Sequence, residues 1–264
     1  MRDFMSIRKT NYKLIVVVGI ALFALPLYSA AQAGSASEQD KTRLLVQKVI
    51  AAMGGNQWRS VGAVTSTVSI SLPDSSAALK EEWSDDWSTG TVSNRREQID
   101  GSDKKAWIFT PERSETYGKT ATPSISPPEY DLINIARSMP AVALLIGASR
   151  DSCVFSHEVR ADESKQIAIS QVCIARLYPN HRVEIKWIID ASSALPISVE
   201  LPIRGMNGNV SLATVTFLEF KQADGLKYPV RAEITWSGTK FTKTISMTET
   251  KFYTALDKSK FLGR

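Results

Sequence analysis

Histidine and cysteine are scarce: a chain of 264 residues holds two of each. With His157 and His181 as the whole histidine complement and no G-x-S-x-G turn to present a serine, a Ser/His/Asp arrangement has no support. His157 lies beside Glu158 in a strand-like run and His181 follows a Pro179-Asn180 turn, so surface or hairpin positions are their plain reading. Cys153 and Cys173 cannot ligate zinc as a pair, and no His or Cys stands at finger-like spacing around them. A glycine-rich phosphate loop is also missing, because Gly54-Gly55 follows a helical stretch and opens no second helix. Catalytic residues, metal and cofactor are therefore not expected. Net charge is low: of the formal +5, four cations (Arg2, Arg8, Lys9, Lys13) and Asp3 precede Gly34, leaving about +2 for the rest. Nucleic-acid binding would need a clustered basic face, so it drops out. Beyond residue 27 no long apolar run recurs, which excludes a polytopic membrane protein. A hydrophobic share of 43% and a charged share of 22% are those of a globular chain with a sizeable core.

The amino-terminal stretch carries the most specific signal. A cationic segment, Met1 to Lys13, precedes an apolar run from Leu14 to Leu27 and then Ala31-Gln32-Ala33. This is the order of a secretory signal peptide, and the run is short of the roughly 20 apolar residues that span a bilayer. Cleavage after Ala33 is expected, with an uncleaved signal anchor as the alternative, and no lipobox cysteine follows. The expected organisation is a signal peptide over 1–33 and one domain over 34–264, periplasmic or secreted. In an exported chain an even cysteine count points to a disulfide. Cys153 and Cys173 each sit in a strand-like run, so a staple across two neighbouring antiparallel strands is the expectation; two buried free thiols are the alternative.

Ser37 to Met53 reads as an amphipathic helix, capped by Ser37 and stopped by Gly54-Gly55, with Leu44, Leu45, Val49 and Met53 at helical spacing. Most of the remainder alternates with period two. Val64, Val68, Ile70 and Leu72 do so, as do Trp107 and Phe109, then Val183 to Ile189, then Tyr228 to Trp236. Such alternation means an antiparallel sheet with one face in a core. Turn residues fall between these runs at Ser88-Thr89-Gly90, Asp100-Gly101, Asn207-Gly208, Asp224-Gly225 and Ser237-Gly238. One segment breaks the pattern. Glu112 to Pro128 reads as a loop, and Glu129 to Ala148 as two short apolar helices broken before Pro140. An apolar insert of this kind must be buried, and the concave face of the sheet is its natural place, as plug or lid. Asn209-Val210-Ser211 matches a glycosylation acceptor.

Two clusters invite a functional reading. Glu81, Glu82, Asp85 and Asp86 surround Trp83, and in a strand Glu81 and Asp85 share the face of Trp83 and Trp87. Solvated charges on an edge hairpin are the plain reading; a glycosidase cleft with aromatic platforms is the other. The tryptophans on alternating strands form either ordinary core or the wall of an apolar cavity.

The order of segments resembles the LolA/LolB-like superfamily of exported lipoprotein carriers, with its LppX-like and RseB-like relatives. The resemblance rests on the helix running into Gly54-Gly55 with Trp58 and Val61 beyond it, and on Arg95-Arg96-Glu97-Gln98-Ile99-Asp100-Gly101 followed by Ala106-Trp107-Ile108-Phe109-Thr110-Pro111. It continues in the inserted helix around Ser138-Met139-Pro140-Ala141-Val142, in Ile189-Asp190 and Leu195-Pro196, and in Asp224 to Pro229 and Phe261. It implies a mainly β (α+β) fold, a strongly curved antiparallel sheet forming an incomplete barrel with an amino-terminal helix and an inserted helical lid. The inner face would bind acyl chains, and Arg95 or Arg96 matches the arginine that holds the lid closed. Cavity and lid candidates are Trp83, Trp87, Arg96, Trp107, Phe109, Met139, Leu144, Leu145, Trp187 and Trp236. The implied function is a non-enzymatic, monomeric carrier of lipid or acylated protein, with an envelope membrane protein as a further partner. An envelope interaction or sensor protein on the same fold is the rival, and a glycosidase-type enzyme stands behind both.

Overall fold

A computed structural model describes residues 38–100, 105–110, 114–117, 131–159, 165–174, 182–204, 210–239 and 241–262. Internal contacts divide the chain into Met1–Thr42 and Arg43–Arg264. Of the first unit, residues 38–42 are described; they are helical, and Lys41 Nζ donates to Glu38 Oε1 at 2.6 Å. Among its described residues the second unit holds a sheet of twelve strands, four α-helical segments and one 3-10 turn.

The helix α1 runs over 38–52. Val46, Val49, Ile50 and Met53 lie on its buried side at i, i+3, i+4 and i+7. Leu44, expected on that side, is instead exposed. Gly54 and Gly55 end the helix with φ of 120° and 58°, which only glycine adopts freely. A short helix α2, Gln57–Ser60, follows. Its Trp58 donates through Nε1 to Met53 O at 2.7 Å, and the same carbonyl accepts from Lys227 N at 2.9 Å.

The strands are β1 Ala63–Ser71, β2 Leu79–Asp86, β3 Ser93–Gln98, β4 Ala106–Phe109, β5 Ser114–Tyr117, β6 Cys153–Val159, β7 Gln166–Ile174, β8 Arg182–Asp190, β9 Pro196–Arg204, β10 Val210–Ala223, β11 Leu226–Trp236 and β12 Thr242–Tyr253. Their order in the sheet is β5-β4-β3-β2-β1-β12-β11-β10-β9-β8-β7-β6, with the paired strands antiparallel. Every neighbour pair but β1 and β12 is also consecutive in sequence. Sharp turns close several of them: Asp224 and Gly225, with φ of 51° and 74°, make a two-residue hairpin between Ala223 and Leu226. The loop expected over Glu112 to Pro128 is corrected in part, since Ser114–Tyr117 pairs with β4 as the edge strand β5; the rest of it lies outside the described residues, as do Ser37, Gly101, Asn207-Gly208, the Asn209 acceptor site and His181.

The helices α3, Asp131–Ala136, and α4, Pro140–Ser149, lie in the connection from β5 to β6. Those two strands are the opposite edges of the sheet, so this connection crosses the whole sheet. It crosses the inner face. Ser138 Oγ, between the helices, donates to Asp85 Oδ2 on β2 at 3.4 Å, and Ala143 O of α4 accepts from Gln171 Nε2 on β7 at 3.5 Å. Ser138 and Ala143 are separated by roughly 8 Å at helical rise. On a flat sheet β2 and β7, seven spacings apart in the strand order, would be about 34 Å apart. The sheet therefore curls around the helices, helped by irregular register between β1 and β12 at Thr65/Thr67 and between β10 and β11 at Phe217/Glu219. It stays open, because β5 and β6 do not pair.

The expected disulfide is present. Cys153 and Cys173 face each other in the β6–β7 register and are bonded, pinning an edge strand to its neighbour.

Candidate functional site

The strand registers place Glu81, Trp83 and Asp85 of β2, Asn94 and Arg96 of β3, and Trp107 and Phe109 of β4 on one face, the face that α3 and α4 cover. Further along the same face stand Ala213, Val215, Val199, Leu201, Trp187 and Ile169 of β10 to β7. The inner surface thus has two parts: a polar one on β2–β4 and an apolar one on β7–β11.

In the apolar part, α4 is hydrophobic on all sides, and Pro140, Ala141, Val142, Ala143, Leu144, Ile146 and Gly147 are all buried. A helix without a polar face is stable in water only when it is covered all round. Met139, the residue before Pro140, donates through its backbone to Ile135 O at 2.7 Å and turns α3 into α4. Leu144 is fully buried and Leu145 half-buried. Trp187, also fully buried, donates through Nε1 to Gln171 Oε1 at 3.0 Å. Gly147 makes the close approach possible, since a Cβ there would stand 2.2 Å from Gln171 Nε2.

The polar part is built around Trp83. Its indole Nε1 donates to Glu81 Oε2 at 2.6 Å, and the guanidinium carbons of Arg96 and Arg137 lie 4.4 and 5.3 Å from the ring centroid, within cation–π range. Arg96 Nη1 pairs with Asp85 Oδ1 at 2.5 Å, and Asn94 Nδ2 donates to the same oxygen at 2.6 Å. Arg137, in the turn between α3 and α4, has its pKa lowered to about 10, first by burial and then by the Arg96 cation, with Asp85 and Glu81 opposing. Burial and the Arg137 cation likewise lower the pKa of Lys243 on β12, Glu81 opposing. Glu81, Asp85 and Arg96 are buried and Arg137 and Lys243 half-buried, so three cations and two carboxylates share one partly dehydrated region. This overturns the reading of the acidic cluster as solvated charge on an edge hairpin: β2 lies between β1 and β3, and Glu81, Asp85 and Asp86 are buried.

The other candidates are dispersed. Trp87 lies just beyond β2, where its Nε1 donates to Val61 O at 2.8 Å. Trp107 and Phe109 are half-buried opposite Arg96 and Asn94. Trp236 is half-buried at the end of β11, stacked near the exposed Phe241 with centroids 5.3 Å apart. Arg95, the alternative to Arg96, points to the outer face and donates through Nη1 to Lys260 O and through Nη2 to Glu97 Oε2. There the 3-10 turn Lys258–Phe261 covers β3 and β4, and a cavity of about 470 Å³ opens between Arg95, Ile108, Tyr117, Ser259, Lys260 and Leu262. The sequence reading missed Arg137, Lys243, Asn134 and Gln171. Arg137 had one available signal, a lone cation inside an otherwise apolar helical insert. Among the described residues no group of three or more His, Cys, Asp or Glu is placed to hold a metal ion, and no helix is long and apolar enough to cross a membrane.

No family model and no curated protein matches the sequence. Solved structures do match. A domain from Vibrio parahaemolyticus described as an outer-membrane lipoprotein-sorting protein domain is similar at 12% identity with a TM-score of 0.50, over 84% of this chain and 97% of that one. A LolA superfamily protein from Nitrosomonas europaea is similar at 11% identity with a TM-score of 0.51, over 84% of this chain and 98% of that one. At such identities the likeness is one of architecture, and it agrees with the open antiparallel sheet curled about an inserted helix pair: the chain has a LolA-like fold.

Proposed function

We propose that this protein is an exported, non-enzymatic carrier or binding protein that holds lipid acyl chains, or the acyl part of a lipid-modified protein, against the inner face of its sheet. One observation carries the reading. The inner apolar surface is occupied by α4, a helix with no polar face, and two polar contacts that tie the helix pair down there, Ser138 to Asp85 and Gln171 to Ala143, are long at 3.4 and 3.5 Å. An acyl chain replaces such apolar contacts group for group, each methylene contributing roughly 0.8 kcal/mol. Loading then consists of α3–α4 leaving the face while the chain enters. Part of the same proposal is a signal peptide over residues 1–33, cleaved after Ala33, and a single mature domain over 34–264 in the periplasm or outside the cell. The solved structures of similar fold, a lipoprotein-sorting domain and a LolA superfamily protein, support this reading.

The test is solvent extraction of the protein purified from its own host, followed by mass spectrometry. Stoichiometric acyl species are expected; an extract free of them, together with no uptake of a fluorescent fatty acid, would sink the carrier reading. The outer-face cavity beside Arg95 and Tyr117 favours a second reading, an envelope interaction or sensor protein. In that case Tyr117→Arg would abolish partner capture and leave acyl uptake unchanged.

A further inference from the structure

The polar part of the inner face is not balanced. Asp85 Oδ1 is already shared by Arg96 and Asn94, its Oδ2 faces Ser138, and Glu81 Oε2 is taken by the Trp83 indole. Against these two carboxylates stand Arg96, Arg137 and Lys243, so the group is one positive charge in excess among the described residues. Donors are also left over. Arg96 Nε and Nη2, Arg137 Nε and Asn134 Nδ2 are out of water and without a hydrogen-bond partner, although Arg96 itself is only 3% exposed. Buried donors of this kind are rare, because each one forfeits its hydration. Unpaired buried charge is more unfavourable still. Two guanidinium groups on one indole, with spare N–H groups on both, form the planar fork that matches a carboxylate or a phosphate.

We infer that Arg96 and Arg137, with Lys243 adding charge from β12, form a subsite for one anionic group, a carboxylate or phosphate, at the head of the acyl ligand. The inference rests on the proposed carrier function and narrows it to acidic amphiphiles. The chain of such a ligand lies along the apolar part toward Trp187, and its head neutralises the excess charge beside Trp83. Arg137 belongs to the helix insert and Arg96 to the sheet, so an anion held by both also ties the insert to the loaded state.

The test uses the full exported chain loaded with an uncharged fluorescent probe, N-phenyl-1-naphthylamine, and titrated with decanoate, decyl phosphate, decanol and inorganic phosphate. Decanoate and decyl phosphate should displace the probe at concentrations about ten-fold or more below decanol, as expected for one charge-assisted contact. Arg137→Gln and Lys243→Gln should each shrink that ratio. Two variants are used because either alone can misfold; Arg96 is left intact because it also partners Asp85. Equal displacement by acid and alcohol would overturn the subsite and leave the carrier reading standing. Failure of every amphiphile to displace the probe would overturn the carrier reading itself. Inorganic phosphate competing as well as decyl phosphate would assign the cations to a free anion and defeat the lipid-head assignment.

Discussion

Asp85 and Arg96 form an ion pair at 2.5 Å across the β2–β3 hairpin, with 2% and 4% of their side chains exposed. They are diagonal neighbours, since Asp85 stands opposite Asn94 and Arg96 opposite Trp83. A pair so deeply placed is coupled to everything packed on it. Removing Asp85 leaves Arg96 as a buried charge without its partner, in a group that already carries one positive charge in excess.

Asp85→Leu should therefore lower stability by about 3 to 5 kcal/mol, read by chemical denaturation. The double variant Arg96→Met, Asp85→Leu should lose clearly less than the sum of the single variants, because the pair is removed together. Additive losses would show that the two residues act independently.

The glycine of α4 gives a second expectation. Gly147→Ala puts a methyl against Gln171, which is itself held by Trp187 and α4, and overpacking of this sort typically costs about 1 to 3 kcal/mol. The melting temperature should fall and the near-ultraviolet signal of Trp187 should change. An unchanged spectrum would mean that α4 does not rest on Gln171.

Polar replacement of the lid separates a carrier from a static core. On the proposed carrier reading, Leu144→Asn and Leu145→Gln weaken the contact of α4 with the sheet and raise the population of an open state. If opening shifts by one or two kcal/mol, apparent affinity for a fluorescent fatty acid should rise roughly 5- to 30-fold. A lower melting temperature with unchanged or lost uptake would make α4 ordinary core.

The disulfide closes a loop of 20 residues between Cys153 and Cys173. On the chain-entropy model that cross-link stabilises by about 3 kcal/mol. Cys153→Ala, Cys173→Ala should lose about that much in denaturant, and thiol titration of the unreduced, denatured protein should find no reactive group.

The turn between β8 and β9 has a pH signature. Asp190 Oδ1 accepts from the hydroxyls and amides of Ser192 and Ser193, led by the Ser192 hydroxyl, and its pKa is lowered from 3.8 to about 2. A depressed carboxyl contributes its stabilisation above the unfolded value and loses it as pH falls through the folded one. Protection of the Ser192 and Ser193 amides, measured against their intrinsic exchange rates at each pH, should therefore fall between about pH 4 and pH 2, and Asp190→Asn should flatten the dependence. Protection that is level across this window would show that the carboxylate does not hold the turn.

Much of this architecture is written locally. Period-two alternation alone puts Glu81, Trp83 and Asp85 on one face, proline at 140 breaks the helical insert where Met139 turns, Asp224-Gly225 makes the tight hairpin, and Cys153 and Cys173 fall opposite each other. These features depend on a few neighbouring residues and their allowed backbone angles, so sequence reaches them. Whether the face bearing Glu81 and Asp85 is wet or dry does not depend on neighbours. It is decided by β1 pairing with β12, which makes β1 an interior strand and continues the sheet beyond β2, and by α3–α4 crossing from one sheet edge to the other over the inner face. Arg137 reaches Trp83 only through that crossing, and Lys243 comes within electrostatic range of Glu81 and Arg96 only through that closure. Alternation specifies on which side a residue lies, but burial and charge balance are set by which distant segment covers that side.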